Sequence, residues 1–273
     1  MFARRVCEFH VSEREPADAA AAPSRCLKFA GVVWSALVLI ATALAPLSGA
    51  AEELLLGAAV SLREPLTAIA RDFEARHPEA RVRMSLGASS TLAAQARAGA
   101  PLDVFVSADP RLVDRLEREH WSEARSDIAS NALVVVAAVD FRLERPEDLL
   151  AVELRRLALP ARGVPVGGYA RQWLARNGLL EPLADRIIQT EHARATLAAV
   201  DAGHADAAIV YVTDLLATPA PRTSLAIATA EQPSIVYTAA LRAGARELAR
   251  TFFDALSDER ARARFASAGF GAP

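Results

Sequence analysis

Two strand-to-helix junctions carry hydroxyls where a chain can do chemistry. Leu55-Leu-Gly-Ala-Ala-Val-Ser61 runs into a helical segment from Leu62, and Met84-Ser-Leu-Gly-Ala-Ser-Ser90 runs into another from Thr91. The first N–H groups of a helix have no partner within it, so each junction offers unpaired donors and a serine hydroxyl, the recipe for an anion site. Three roles compete for these serines. Ser61-Leu-Arg-Glu64 is also a capping-box pattern, in which Ser61 accepts from the N–H three residues on while Glu64 reaches back. Ser89 or Ser90 is likewise placed to cap its helix. The nucleophile reading is the weakest, because Thr91 stands where a G-x-S-x-G elbow needs its last glycine. Cap and ligand remain compatible, since a hydroxyl can accept from the backbone and donate to an anion at once.

Other chemistry finds little footing. Beyond residue 50 the histidines are His77, His120, His192 and His204, and none forms a ligand-spaced pair with another histidine or a carboxylate. His77 precedes Pro78 at a helix end, where positive charge suits the helix dipole. His192 is available as a base for a serine, but no spacing selects it. A P-loop is absent, and Gly57, Gly87 and Gly163–Gly168 do not make a dinucleotide fingerprint. The expectation is no catalytic residue, no metal ligand and no cofactor, with a secreted serine hydrolase as the enzymatic alternative.

A repeated α/β framework must hold these junctions. The chain has 273 residues, 52% of them hydrophobic and 23% charged, which is enough for one or two cores. Arg25 and Lys28 precede an apolar run, Phe29 to Leu47, that ends in Ser48-Gly-Ala-Ala51 before Glu52-Glu53. It reads as a secretory signal over residues 1–50 with cleavage near Ala50; a retained membrane anchor is the rival reading. The long polar stretch before Arg25 leaves the start of translation open. Five of the 31 basic and four of the 33 acidic residues lie in that segment, so the remainder is mildly acidic and carries no nucleic-acid footprint. Cys7 and Cys26 lie there too, leaving no thiol for disulfides, catalysis, metal or a lipid anchor in the mature part.

From Glu53 to Phe270, apolar runs of strand length alternate with segments of helical period, which predicts an α/β protein with largely parallel sheets. The strands are expected at Leu54–Ala59, Arg81–Leu86, Asp103–Val106, Leu133–Val139, Arg156–Leu159, Ile187–Gln189 and Ala207–Val210, and near Ser224–Ala228 and Ile235–Ala240. The helices between them include Leu62–Arg76, Leu92–Ala98, Asp109–Arg118, a short one at Pro146–Leu150, Gly168–Arg176 and Ala193–Ala202, with Ala243–Leu256 and Asp258–Ala268 at the end. Without a linker between the two α/β series, the arrangement implies two lobes with a cleft at the strand ends.

The motifs Ala58-Ala-Val-Ser-Leu62, Gly87-Ala-Ser-Ser-Thr-Leu92, Gly99-Ala-Pro-Leu-Asp-Val-Phe-Val-Ser-Ala-Asp109, Asn131-Ala-Leu-Val-Val-Val136, Val164-Pro-Val-Gly-Gly-Tyr-Ala170 and Ile209-Val-Tyr-Val-Thr-Asp214 resemble, in order, those of periplasmic molybdate-binding proteins of ABC transporters. The third is the most specific. The resemblance implies a type II periplasmic-binding-protein fold, two α/β lobes with a hinge and an interlobe cleft, here residues 52–131 plus 237–273 and residues 132–236. It implies an oxyanion held by the hydroxyls and backbone of Ser61 and Ser89, the backbone N–H of Val166 and of Ala193, and the phenol of Tyr211. The implied ligand is molybdate or tungstate, and the implied setting is a periplasmic monomer that delivers to membrane permease subunits. Sulfate or another anion is the alternative ligand, and signalling to a membrane partner an alternative use. Val166 stands where the family more often has a smaller residue and Ala193 where it can have a larger one. That leaves the backbone donors intact and bears on cavity size.

Overall fold

The computed structural model describes residues 51–273; the expected signal segment lies outside them. The first lobe is built on β1 (Glu52–Ala59), α1 (Arg63–Arg76), β2 (Ala80–Gly87), α2 (Ser89–Arg97), β3 (Val104–Ser107), α3 (Pro110–Arg118) and β4 (Ser122–Asn131). The chain then crosses to the second lobe, with β5 (Leu133–Ala137), β6 (Leu157–Pro160), α4 (Pro165–Arg176), β7 (Ile187–Thr190), α5 (Ala193–Asp201), β8 (Ala207–Tyr211), α6 (Val212–Ala217) and β9 (Thr223–Ala226). It returns on β10 (Ile235–Arg242) and ends in α7 (Glu247–Ala255) and α8 (Glu259–Ser267).

Each lobe has one five-stranded sheet, ordered β2-β1-β3-β10-β4 and β7-β6-β8-β5-β9. The expectation of largely parallel sheets needs correction. In each sheet two pairings are parallel and two antiparallel, because a strand that has crossed between lobes enters its new sheet in the opposite sense. Strand β5 is buried along its whole length, as its apolar run suggests. Strand β4 has no such signal: Ser122-Glu-Ala-Arg-Ser-Asp-Ile-Ala-Ser-Asn131 lies at a sheet edge and alternates half-buried with exposed positions over its first six residues, so no apolar run marks it and the sequence does not predict it. Helix α4 starts at Pro165, three residues before the expected Gly168, with proline in the first turn, where its missing N–H costs nothing.

Two residues of the Gly99–Asp109 motif fix this frame. The Asp103 carboxylate accepts from Leu55 N–H at 2.8 Å and from the Arg246 guanidinium at 3.2 Å, tying β1 to the start of α7. Asp109 caps α3, accepting from Arg111 N–H at 2.9 Å. The C-terminal helices return to the first lobe. Arg264 of α8 pairs with Asp72 of α1 at 2.8 Å, and Phe252 of α7 meets Phe73 edge-on with ring centroids 5.0 Å apart. His77 ends α1, stacked on Phe73.

Candidate anion site

Parallel strands of both sheets end at one cavity. Its walls are Ala59, Val60 and Ser61 at the end of β1, Gly87, Ala88 and Ser89 at the end of β2, and Ala108 after β3. From the second lobe come Val164, Pro165 and Val166 after β6, His192 and Ala193 after β7, and Tyr211 at the end of β8. The five residues singled out in the sequence, Ser61, Ser89, Val166, Ala193 and Tyr211, are therefore brought together. All five are buried, none more than 3% exposed. Even with its open mouth included the space is only about 240 Å³. It suits a small ion.

Ser89 opens α2, Val166 lies in the first turn of α4 and Ala193 opens α5, so three helix N-termini converge on the cavity. Gly167 makes the approach of α4 possible. A Cβ there would stand 2.5 Å from the Ala161 carbonyl oxygen and nearer still to that of Pro160, so only glycine lets the helix sit this close to the strand end. The buried Arg171 guanidinium closes the same turn, donating to the Pro160 carbonyl at 2.6 Å and the Gly167 carbonyl at 2.9 Å.

The hydroxyls show how the polarity is set. Ser89 Oγ accepts from Ala108 N–H at 3.1 Å, which leaves its hydrogen to donate elsewhere. Ser61 Oγ lies 2.9 Å from the Tyr237 hydroxyl, a bond in which either atom can donate. The Tyr211 hydroxyl is buried and finds no partner among the described residues. Burial raises its pKa well above the ordinary phenol value, so it stays a donor at any ordinary pH. Among the described residues no carboxylate, lysine or arginine lines the cavity. The chamber offers neutral donors.

The caps read from the sequence do not form. Ser61 sits in a 3₁₀ turn, Val60–Leu62, and no side chain caps α1. The residue before α2 is Ala88, and Ser89 is already helical. Ser90 is half-buried and does not line the cavity. His192 does cap α5: its Nδ1 accepts from Ala195 N–H at 3.1 Å, so the ring is engaged with the backbone rather than with a serine.

Contacts between the lobes surround the cavity. Tyr169 of α4 donates through its hydroxyl to the Ala108 carbonyl at 3.3 Å. Arg194, next to Ala193, donates to Asp214 at 2.8 Å within its own lobe and to Glu64 of α1 at 2.6 Å across the cleft. Asp214 is fully buried, and burial pushes its pKa up to about 6 against the pull of Arg194. Sequence reasoning did not find Arg194, Asn131 or Tyr237, whose side chains bond to residues far away in sequence. Asp214 and Asn131 lie inside quoted motifs, and that was their one signal.

Comparisons with known proteins agree with this architecture. The family model described as bacterial extracellular solute-binding protein matches residues 54–271. Molybdate-binding protein ModA of Escherichia coli is 30% identical over 223 residues, covering 78% of this chain and 86% of that one. ModA of Haemophilus influenzae is 28% identical over 225 residues, covering 79% and 88%. The solved periplasmic molybdate-binding protein of Azotobacter vinelandii superposes with a TM-score of 0.74 at 24% identity, over 81% of this chain and 99% of that one, which establishes a shared two-lobed fold. The chain belongs to the ModA family of bacterial extracellular solute-binding proteins.

Proposed function

We propose that this chain is the receptor of a molybdate ABC transporter, binding one molybdate dianion in the cavity between its lobes and handing it to membrane permease subunits. The ligand accepts from the Ser61, Ser89 and Tyr211 hydroxyls and from the backbone N–H groups of Val166 and Ala193. The observation that carries this reading is the Tyr211 hydroxyl, a buried donor without a partner among the described residues, on a side chain whose residue lines the chamber. A buried donor is stabilised only by an acceptor, and a fully deprotonated tetrahedral oxyanion is all acceptor. A protonated phosphate would bring a hydrogen that a carboxylate accepts best, and none of the described residues offers one at the cavity. Tungstate has the same charge and donor requirement and belongs to the same ligand class.

The protein works as a periplasmic monomer whose lobes, residues 52–131 plus 237–273 and residues 132–236, close by a hinge at the crossings. Residues 1–50 direct export. Among the described residues no helix is long and apolar enough to cross a membrane. No reaction is catalysed, a reading supported by the engagement of Ser89 with Ala108 N–H and of His192 with Ala195 N–H. Isothermal titration with molybdate, tungstate, sulfate and phosphate tests the assignment. Saturable one-site binding of the first two, tighter than of the last two, is expected; no heat with molybdate or tungstate refutes it.

A further inference from the structure

The Asn131 side chain stands where the chain leaves the first lobe, between β4 and β5. Its Oδ1 accepts from Ala132 N–H at 2.8 Å, which fixes the amide orientation, and its Nδ2 donates to Thr213 Oγ1 at 2.8 Å and to the Tyr237 hydroxyl at 3.1 Å. The Tyr237 ring is fully buried, and Ser61 Oγ is the remaining partner of its hydroxyl. Since Asn131 supplies a hydrogen to the Tyr237 oxygen, the phenol's own hydrogen is satisfied only by donation to Ser61. The reverse polarity would leave a buried O–H without an acceptor. With its oxygen receiving from Tyr237, Ser61 turns its hydrogen toward the cavity that it lines.

We propose that Tyr237, held by Asn131, is a positioning residue that commits the Ser61 hydroxyl to donate into the cavity. The chain of donors runs from the interlobe crossing to the ligand, Asn131 to Tyr237 to Ser61, and each bond polarises the next. Tyr237 does not touch the anion, so its whole effect on binding passes through Ser61. The inference rests on the proposed anion site.

A double-mutant cycle read by isothermal titration with sodium molybdate separates the two. The parent, Tyr237→Phe, Ser61→Ala and the double variant are compared, with thermal melts to verify folding. Tyr237→Phe is expected to weaken binding roughly five- to tenfold in the parent, the weight of one hydrogen bond, and to cost nothing further once Ser61 is Ala. Equal losses in both backgrounds, the mark of a merely structural role, or no loss in the parent would overturn the proposal. Should Tyr237→Phe fail to fold, Asn131→Asp serves instead. Its carboxylate accepts from Tyr237 and reverses the relay, so it should cost more with Ser61 present than with Ser61→Ala; equal costs overturn the proposal. A parent that takes up no molybdate defeats the functional reading by itself, and the same cycle run with sulfate, another hydrogen-free dianion, then reads the relay. Failure to bind either dianion overturns both.

Discussion

Replacing Tyr211 by Phe removes one oxygen and no protein hydrogen bond, because that hydroxyl is buried without a partner among the described residues. The variant should therefore unfold, in the absence of ligand, at the same temperature as the parent or slightly above it. Binding should suffer instead. A hydrogen bond to a charged group is worth roughly 1.5–3 kcal/mol, which is about 10- to 150-fold in affinity. At molybdate about 100 times the parent's Kd, ligand stabilises the parent by about 2.7 kcal/mol; a variant weakened about 30-fold gains only about 0.9 kcal/mol from the same solution. For a chain of this size those gains correspond to melting shifts of roughly 5–10 °C and 2–4 °C. A calorimetric scan with and without molybdate reads both numbers. A Tyr211→Phe protein that melts well below the parent without ligand, or that shows the parent's full shift, would refute the reasoning.

The neighbouring serines should separate. Ser89→Ala loses a proposed ligand donor and also strands the Ala108 N–H, so both affinity in titration and the free energy of unfolding from a urea titration should fall, the latter by about 1–3 kcal/mol; Ser90→Ala, away from the cavity, should leave affinity unchanged. Gly167→Ala forces the start of α4 off the Pro160 and Ala161 carbonyls, which should cost roughly 1–3 kcal/mol of stability in denaturant and displace the Val166 N–H enough to weaken binding. Asp214 gives a pH dependence. Its folded-state pKa of about 6 lies above the ordinary 3.8, so the folded chain holds a proton that the unfolded chain has released, and the Asp214 contribution declines as pH rises through that window. Asp214→Asn should flatten the fall in melting temperature between about pH 4 and 6; an unchanged slope would show that Asp214 does not titrate there.

What the sequence made legible were features with a local signature. Apolar runs marked the buried strands β1, β5 and β8, and glycine and serine at strand ends marked the junctions that become the first lobe's half of the cavity. Strand β4 escaped because a sheet edge needs no continuous apolar run. The capping box at Ser61 misled for a related reason. The pattern is local, but the Tyr237 hydroxyl, 176 residues away in sequence, takes the serine's oxygen instead. The donors proposed in the second lobe, at Val166 and Ala193, are backbone groups, whose presence at a cavity no side-chain type announces; only resemblance pointed to them. Arg194 linking Asp214 to Glu64, and Asn131 linking Thr213 to Tyr237, join residues from different lobes, so no window of sequence contains both ends.

The central claim is that one fully deprotonated oxyanion is held by neutral donors from both lobes. Its most direct test is a crystal structure of residues 51–273 grown with molybdate, with the metal located by its anomalous scattering. A single strong peak should lie in the cavity, its oxygens within about 3.2 Å of the Ser61, Ser89 and Tyr211 hydroxyls and of the Val166 and Ala193 nitrogens. A peak elsewhere on the surface, or one in the cavity coordinated by a charged side chain, would contradict the account.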